Sequence, residues 1–240
     1  MNVFHTAMRA LSDIWPFYVF VAGVLAVAEL FSMSGAGLSA AFLCYSFLVA
    51  TTHHSILAGG VLMKKAKNTP ASKDPKIYTL RFFGVIFLLV WAPMLIASVV
   101  GARLLPDPSA FGGLLLSAFS SAVLWISLSF FGTRIPNTVW EDMGHPVVDG
   151  AKKKAPIVVF TAMRLLLWNG SYALVAVGIL LLFWEVLSAL RGLPVAYFDA
   201  GFEFIRGCLS GVAIALTAAV LSHAHVRAYD LGPQGFILKP

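Results

Sequence analysis

The sequence predicts an all-α membrane protein, a single domain of residues 1–240 with six transmembrane helices and both termini in the cytoplasm. Its composition is 59% hydrophobic and only 12% charged, which is too little polar surface to cover a soluble protein of this length. Six apolar runs are each long enough to cross a hydrocarbon core of about 30 Å. Fourteen of the seventeen Lys and Arg residues fall on one side of the membrane that these runs define.

The six apolar runs are separated by short polar or Gly- and Pro-containing stretches. The predicted spans are Ile14–Phe31, Leu38–Met63, Tyr78–Leu104, Phe111–Gly132, Ile157–Leu190 and Phe202–His225. Pro93 lies inside the third span and predicts a kink that neighbouring helices have to tolerate. The fifth span is longer than the hydrocarbon core needs, so we expect it to tilt or to protrude.

The distribution of basic residues orients the predicted helices. Only Arg103, Arg191 and Arg206 fall on the side opposite the other fourteen basic residues. Because cytoplasmic loops carry the excess of Lys and Arg, both termini are predicted to be cytoplasmic, which an even number of spans also requires. The same asymmetry accounts for the net charge of +6, so we expect the lipid bilayer as a partner and no nucleic acid.

The longest polar interruption, residues 134–156, is predicted to be a cytoplasmic amphipathic loop between the fourth and fifth spans. Its apolar residues recur at three- and four-residue spacing, and they are Trp140, Met143, Val147, Val148 and Ala151. This pattern predicts a short helix in the membrane interface with its apolar side in lipid. Gly144 followed by Pro146 predicts a break and a restart within it.

Three consecutive lysines, Lys152, Lys153 and Lys154, close this loop. At the level of the lipid headgroups each contributes about 1 kcal/mol against an anionic leaflet, which makes them candidate contacts for anionic lipid headgroups. A topology signal alone also accounts for them, and both interpretations remain open.

The loop resembles the central loop of the YciC-like bacterial membrane proteins and of the membrane domain attached to some glycerophosphodiesterases. The matching residues are Arg134, Pro136, Glu141, Gly144, Pro146, Ala151 and Lys152 to Lys154. The resemblance covers about twenty residues and departs after Lys154, where Ala155 and Pro156 replace a polar continuation. It implies a six-span architecture with cytoplasmic ends in a bacterial inner membrane, and it implies no catalytic residues.

Polar residues at membrane depth are candidates for function, and the clearest group is Thr51, Thr52, His53, His54 and Ser55 in the second span. Adjacent side chains on a helix point about 100° apart, so His53 and His54 cannot face one partner equally well. Two hypotheses follow. The segment lines a polar path, or its histidines are structural and bond to the neighbouring threonines or to backbone carbonyls.

No cofactor is predicted, although a haem or metal ion at His53, His54 and His223 is a weaker alternative. His223 and His225 lie near the end of the sixth span, whereas His53 and His54 lie near the middle of the second. Both cysteines, Cys44 and Cys208, lie within apolar runs and suggest neither a disulfide framework nor a thiolate cluster.

Smaller polar features are predicted to join helices. Glu203 and Arg206 are three residues apart in the sixth span and can form an ion pair with each other. Asn169, in the fifth span, is predicted to form a hydrogen bond to another helix.

The sequence contains no nucleophile with a base at a matching depth and no phosphate-cradling loop. Its leading functional hypothesis is therefore a non-enzymatic membrane subunit, or a lipid-associated scaffold, of a bacterial inner-membrane complex. Other membrane subunits or further copies of the chain are the expected protein partners. A transporter or channel with a path along Thr51–Ser55 is the alternative, and a haem or metal redox protein is the third hypothesis.

Overall fold

The structure is a computed structural model that describes residues 3–30, 34–58, 79–104, 110–144, 154–189 and 195–228. Every regular element in these ranges is helical. Five helices are long and apolar enough to cross a membrane, and a bent pair of helices makes a sixth if it counts as one span. The predicted all-α class and the presence of five to six helices of membrane-spanning character are therefore confirmed.

The described helices follow the predicted spans, with two interruptions. They are α1 (Val3–Leu30), α2 (Ser34–Ala58), α3 (Leu80–Ile86), α4 (Ala92–Leu104), α5 (Ala110–Phe131), α6 (Arg134–Asp142), α7 (Lys154–Leu165), α8 (Ser171–Ala189) and α9 (Val195–Ala228). A π-helical turn, Phe87–Trp91, joins α3 to α4, and a second, Leu166–Gly170, joins α7 to α8. The third and fifth predicted spans are thus each one long helix with a wider turn inside it.

The chain divides into two compact units, which are described separately. The first unit comprises Met1–Leu62 and Leu167–Ala219, and the second comprises Met63–Leu166 and Val220–Pro240. α9 contributes to both units, and the single domain of residues 1–240 stays a prediction from the sequence.

The core of the first unit lies where α1, α2 and α9 meet. Ile14, Tyr18 and Leu48 are buried in it, and Ile214 of α9 packs against them. Two glycines of α9, Gly207 and Gly211, bring that helix close to α1. A Cβ atom at Gly207 would lie 2.9 Å from the Cα atom of Ala22, and one at Gly211 would lie 2.6 Å from the Tyr18 ring. Small residues four apart permit such close packing in membrane helices.

α1 is kinked near its first third. It begins at Val3, well before the predicted start at Ile14, and Ile14 itself has non-helical torsion angles (φ −125°, ψ 16°). Pro16 follows two residues later and supplies the physical cause, since proline lacks an amide hydrogen and its ring crowds the preceding turn.

In the second unit a π-helical turn that ends at Trp91 lies just before Pro93, within the span for which the sequence predicts a kink. Proline at position 93 removes the amide hydrogen that would otherwise bond to the carbonyl of Leu89 in an α-helix. The Ser127 hydroxyl of α5 donates to that carbonyl oxygen at 3.0 Å. A neighbouring helix therefore satisfies the backbone group that proline leaves open, as is required where no water is present.

The fourth predicted span continues beyond a bend into α6. The direction of α6 differs by 56° from that of the stretch Ala118–Phe131 in α5, and Gly132 and Thr133 lie between the two helices. Gly132 is needed at this bend because a Cβ atom there would lie 2.3 Å from the Leu128 carbonyl oxygen. α6 then ends before Gly144, whose positive φ of 82° is the left-handed conformation that glycine adopts at helix ends.

Much of the described surface is apolar. Leu174 and Leu182 of α8 are 78% and 67% exposed, and Ile126 of α5 is 60% exposed. Exposed aliphatic side chains on helices of spanning length are what a hydrocarbon solvent requires.

Candidate functional site

The Thr51–Ser55 segment lies in the second half of α2, and its two threonines bond to their own helix. The Thr51 hydroxyl donates to the carbonyl oxygen of Phe47 at 2.9 Å, and the Thr52 hydroxyl donates to that of Leu48 at 2.6 Å. Bonds of this kind satisfy a threonine hydroxyl without a second helix. Neither threonine therefore needs water to satisfy its hydroxyl hydrogen.

Thr52 also joins α2 to α1. Its hydroxyl oxygen lies 2.6 Å from the Tyr18 hydroxyl oxygen, and both side chains are buried. A threonine has one hydroxyl hydrogen, which the carbonyl of Leu48 accepts, so Tyr18 is the donor in the contact with Thr52. The two neutral groups thus satisfy each other between helices.

A second contact between α1 and α2 involves a charged group. The Ser55 hydroxyl donates to a carboxylate oxygen of Asp13 at 3.2 Å, and this contact is at the surface. We call the Tyr18–Thr52 and Asp13–Ser55 contacts together the α1–α2 seam. Three of the five predicted site residues, Thr51, Thr52 and Ser55, therefore form hydrogen bonds within the helices of the first unit.

The two histidines of this segment differ in their surroundings, as the 100° step between adjacent helical residues predicts. His53 is 1% exposed, whereas His54 is about half-buried. His53 belongs to the packed interior of the protein. Of the two histidines, His54 is the one whose side chain can be reached from outside the protein.

An open apolar groove of about 550 Å³ lies between α1 and α2, next to this seam. Phe17 and Phe20 of α1 and Leu43 and Phe47 of α2 line it, and Cys44 lies in its wall. Phe20 and Leu43 are more than half exposed, so the groove opens to the outside of the protein. Its lining suits a hydrocarbon chain.

The histidines of α9 belong to the second unit. His225 is completely buried and its ring centroid lies 6.4 Å from that of Trp140, whereas His223 is half-buried. Among the described residues no three His, Cys, Asp or Glu side chains come together as a metal site would need. A haem or metal ion at His53, His54 and His223 stays a prediction from the sequence.

The structure corrects the prediction for α6. Trp140 and Met143 are 4% and 6% exposed, so they pack inside the protein, whereas the sequence pattern placed them in lipid. The other residues of that pattern, Val147, Val148 and Ala151, lie outside the described residues.

The cause is a set of polar contacts that hold α6 against the beginning of α3. The Thr79 hydroxyl donates to a carboxylate oxygen of Asp142 at 2.7 Å, and it also accepts from the Phe82 amide at 3.2 Å, which caps α3. Arg81 forms an ion pair with Glu141. We call these contacts between Thr79 and Asp142 and between Arg81 and Glu141 the α3–α6 seam.

Glu141 has a further partner on its own helix, because the Asn137 amide donates to its second carboxylate oxygen at 2.7 Å. With both carboxylates of α6 satisfied by protein groups, the opposite face of this helix turns towards the core.

The lysine triplet is only partly within the described structure. Lys152 and Lys153 lie outside the described residues, and Lys154 is the first residue of α7. Their interaction with anionic headgroups stays a prediction.

Two smaller predictions are confirmed. Arg206 and Glu203 form an ion pair of 2.6 Å on α9. The Asn169 amide, in the second π-helical turn, donates to the Thr217 hydroxyl of α9 at 2.6 Å.

Sequence reasoning missed the α1 partners in the α1–α2 seam, Asp13 and Tyr18, and it missed the close packing at Gly207 and Gly211. The glycines carried a usable signal, since they are spaced four apart in an apolar run. Asp13 and Tyr18 carried a weaker signal. They are polar residues of an apolar helix, and they lie on either side of its kink.

Comparisons with protein-family models, with curated proteins and with solved structures find no match to this chain. The resemblance of residues 134–154 to YciC-like proteins therefore stays an expectation from the sequence.

Proposed function

We propose that this chain is a non-enzymatic integral membrane subunit, or a lipid-associated scaffold, of a bacterial inner-membrane complex. The proposal is based on the hydrogen bonds that the polar segment of α2 forms with α1. Thr52 bonds to Tyr18 and Ser55 bonds to Asp13, so these side chains hold two helices together. In a transporter or channel of this class, the same side chains would face water.

The apolar surface supports the lipid-associated part of the proposal. The groove between α1 and α2 has room for part of an acyl chain. Exposed leucines of α8, such as Leu174 and Leu182, provide the area on which lipid or another membrane helix packs. Further membrane subunits or copies of the chain are the partners that such surfaces accept.

We also propose that both termini and residues 134–156 lie in the cytoplasm, on the basis of the distribution of Lys and Arg. The test is labelling with a membrane-impermeant thiol reagent in a variant that lacks Cys44 and Cys208. Arg9→Cys and Lys153→Cys are expected to react only after the cells are permeabilised. Arg103→Cys is expected to react in intact cells, and reaction of Arg9→Cys in intact cells would refute this topology.

The subunit proposal is tested by purifying the full chain in mild detergent and measuring what accompanies it. We expect a polypeptide in fixed stoichiometry, or phospholipid that survives detergent exchange. A chain that elutes free of both, and that moves a solute across vesicles, would show that transport is its function.

A further inference from the structure

We infer that Arg164 and Arg227, which both lie over the Phe160 ring in the second unit, form a binding site for a phosphate-bearing anion. The guanidinium carbon of Arg227 lies 4.3 Å from the ring centroid, and that of Arg164 lies 5.7 Å from it. This inference goes beyond the subunit proposal, and its test does not depend on that proposal.

Their distances to a common ring keep the two guanidinium groups close together. They cannot be more than about 10 Å apart, which is about the Debye length at physiological ionic strength. Water and salt therefore screen their repulsion only in part. Phe160 lessens this repulsion, because the negative face of an aromatic ring attracts a cation.

No carboxylate compensates the two charges within the part of the chain that the structure describes. Arg164 and Arg227 form no ion pair with a described side chain, whereas Arg81 of the same unit pairs with Glu141. Two nearby cations that have no counter-ion among the described side chains are arranged to bind an anion. Guanidinium groups suit phosphate oxygens in particular, because each can donate two parallel hydrogen bonds.

Sequence position places His223 on the same side of α9 as Arg227. His223 lies one helical turn before Arg227 on α9, and Phe160 lies one turn before Arg164 on α7. Both arginines act electrostatically on His223. The site thus joins the last turns of α9 to α7.

The position of the site favours a lipid headgroup over a free ion. Arg227 is in the last turn of α9, and Arg164, ten residues after the lysine that begins α7, lies over the same aromatic ring. α9 has the length of a membrane-spanning helix, so its end is placed at the headgroup layer, where the phosphate of an anionic phospholipid is available. Inorganic phosphate offers the same chemistry, so the experiment includes both.

The test measures binding of two probes to the purified full chain in phosphatidylcholine nanodiscs. The probes are phosphatidylglycerol, measured by retention in native mass spectrometry, and inorganic phosphate, measured by the shift in unfolding temperature. Arg227→Gln and Arg164→Gln are each expected to weaken binding of the preferred probe about tenfold. Arg103→Gln is the matched control, since it removes an exposed arginine from the end of α4.

Two further variants separate binding from folding. Phe160→Leu keeps an apolar side chain but removes the ring, and about threefold weaker binding is expected. Arg227→Lys keeps the charge and is expected to recover part of the binding lost in Arg227→Gln. Both are compared with the wild type by circular dichroism.

The outcomes decide the proposal. Selective retention of phosphatidylglycerol that falls in the Gln variants supports a lipid headgroup site, and stabilisation by inorganic phosphate that falls in them supports a free-phosphate site. Equal binding of both probes by the wild type, Arg164→Gln and Arg227→Gln would overturn the inference. Loss of binding in Arg103→Gln to the same extent would also overturn it, because it would show that any basic residue suffices.

Discussion

The α1–α2 seam and the α3–α6 seam join helices by different chemistry. In the first, the buried Tyr18 and Thr52 hydroxyls satisfy each other and a backbone carbonyl. In the second, Arg81 pairs with Glu141; the Arg81 side chain is 61% exposed, whereas that of Glu141 is 7% exposed. The neutral pair is thus buried on both sides, whereas the ion pair keeps one member, Arg81, at the surface, where the desolvation of its charge costs little.

The largest change in the free energy of unfolding is expected in the packing of the first unit, because α9 approaches α1 without room for a methyl group. Gly207→Ala places a Cβ atom 2.9 Å from the Ala22 backbone and is expected to lower the free energy of unfolding by about 1–3 kcal/mol. The measurement is reversible unfolding in mixed micelles.

Gly201→Ala, on the same helix, is the matched control, since a Cβ atom at position 201 would have no atom within 4 Å beyond the neighbouring residues of its own helix. We expect it to leave stability unchanged or to raise it by up to about 1 kcal/mol, through the better helix propensity of alanine. Equal losses at the two positions would show that α9 does not pack closely on α1.

The next largest effect is expected at Thr79 in the α3–α6 seam. Thr79→Ala removes both the cap of α3 and the partner of Asp142, and a loss of about 1–2 kcal/mol is expected. Thr79→Ser keeps the hydroxyl and should retain most of the stability. If the two variants were equally unstable, the methyl group rather than the hydroxyl would account for the effect.

Removal of the buried hydroxyl in the α1–α2 seam is expected to cost less. Tyr18→Phe leaves Thr52 with its bond to Leu48, and interhelical hydrogen bonds in membrane proteins contribute about 0.6–1.7 kcal/mol. Tyr197→Phe, at a 61% exposed position of α9, should have no effect. The loss in Tyr18→Phe should be the same at low and high salt, because neither group is charged.

The smallest effect is expected for the ion pair of Arg81 with Glu141, in which the arginine is exposed. A double-mutant cycle of Arg81→Gln and Glu141→Gln should give a coupling of about 0.5 kcal/mol at low salt. Unlike the Tyr18 effect, this coupling should fall towards zero in 1 M salt. A coupling that does not change with salt would contradict the screening expected of an ion pair whose arginine is exposed to solvent.

Hydropathy and charge patterns were sufficient to predict the helices and some of their contacts. The runs from Tyr78 and from Phe202 became helices of spanning character, and the pairing of Glu203 with Arg206 followed from their spacing alone. Pro93 predicted a deformed helix that a neighbour must accommodate, and Ser127 is that neighbour. The helices and the Glu203–Arg206 pair follow from the sequence of a single helix, and the contact of Ser127 follows from one hydrogen bond that proline cannot form.

Features that depend on how two helices align were not predictable in this way. The partner of Thr52 is on α1, and nothing in either run specifies that Tyr18 lies at the same level. α6 illustrates a second limit. Its amphipathic pattern separates Trp140 from Glu141, but the pattern is the same whether the apolar side faces lipid or the protein core. The contacts of Glu141 with Arg81 and of Asp142 with Thr79 decide this, and they join residues 60 and 63 positions apart.

The central claim is that the polar segment of α2 joins helices and does not line an aqueous path. The most direct test is the rate at which a water-soluble thiol reagent modifies Thr52→Cys and His53→Cys in permeabilised membranes, with Cys44 and Cys208 replaced by alanine and Arg9→Cys as the reactive reference. We predict no reaction at positions 52 and 53 until the protein is denatured. Modification of either position at the rate of Arg9→Cys would mean that water reaches the segment, and the claim would be wrong.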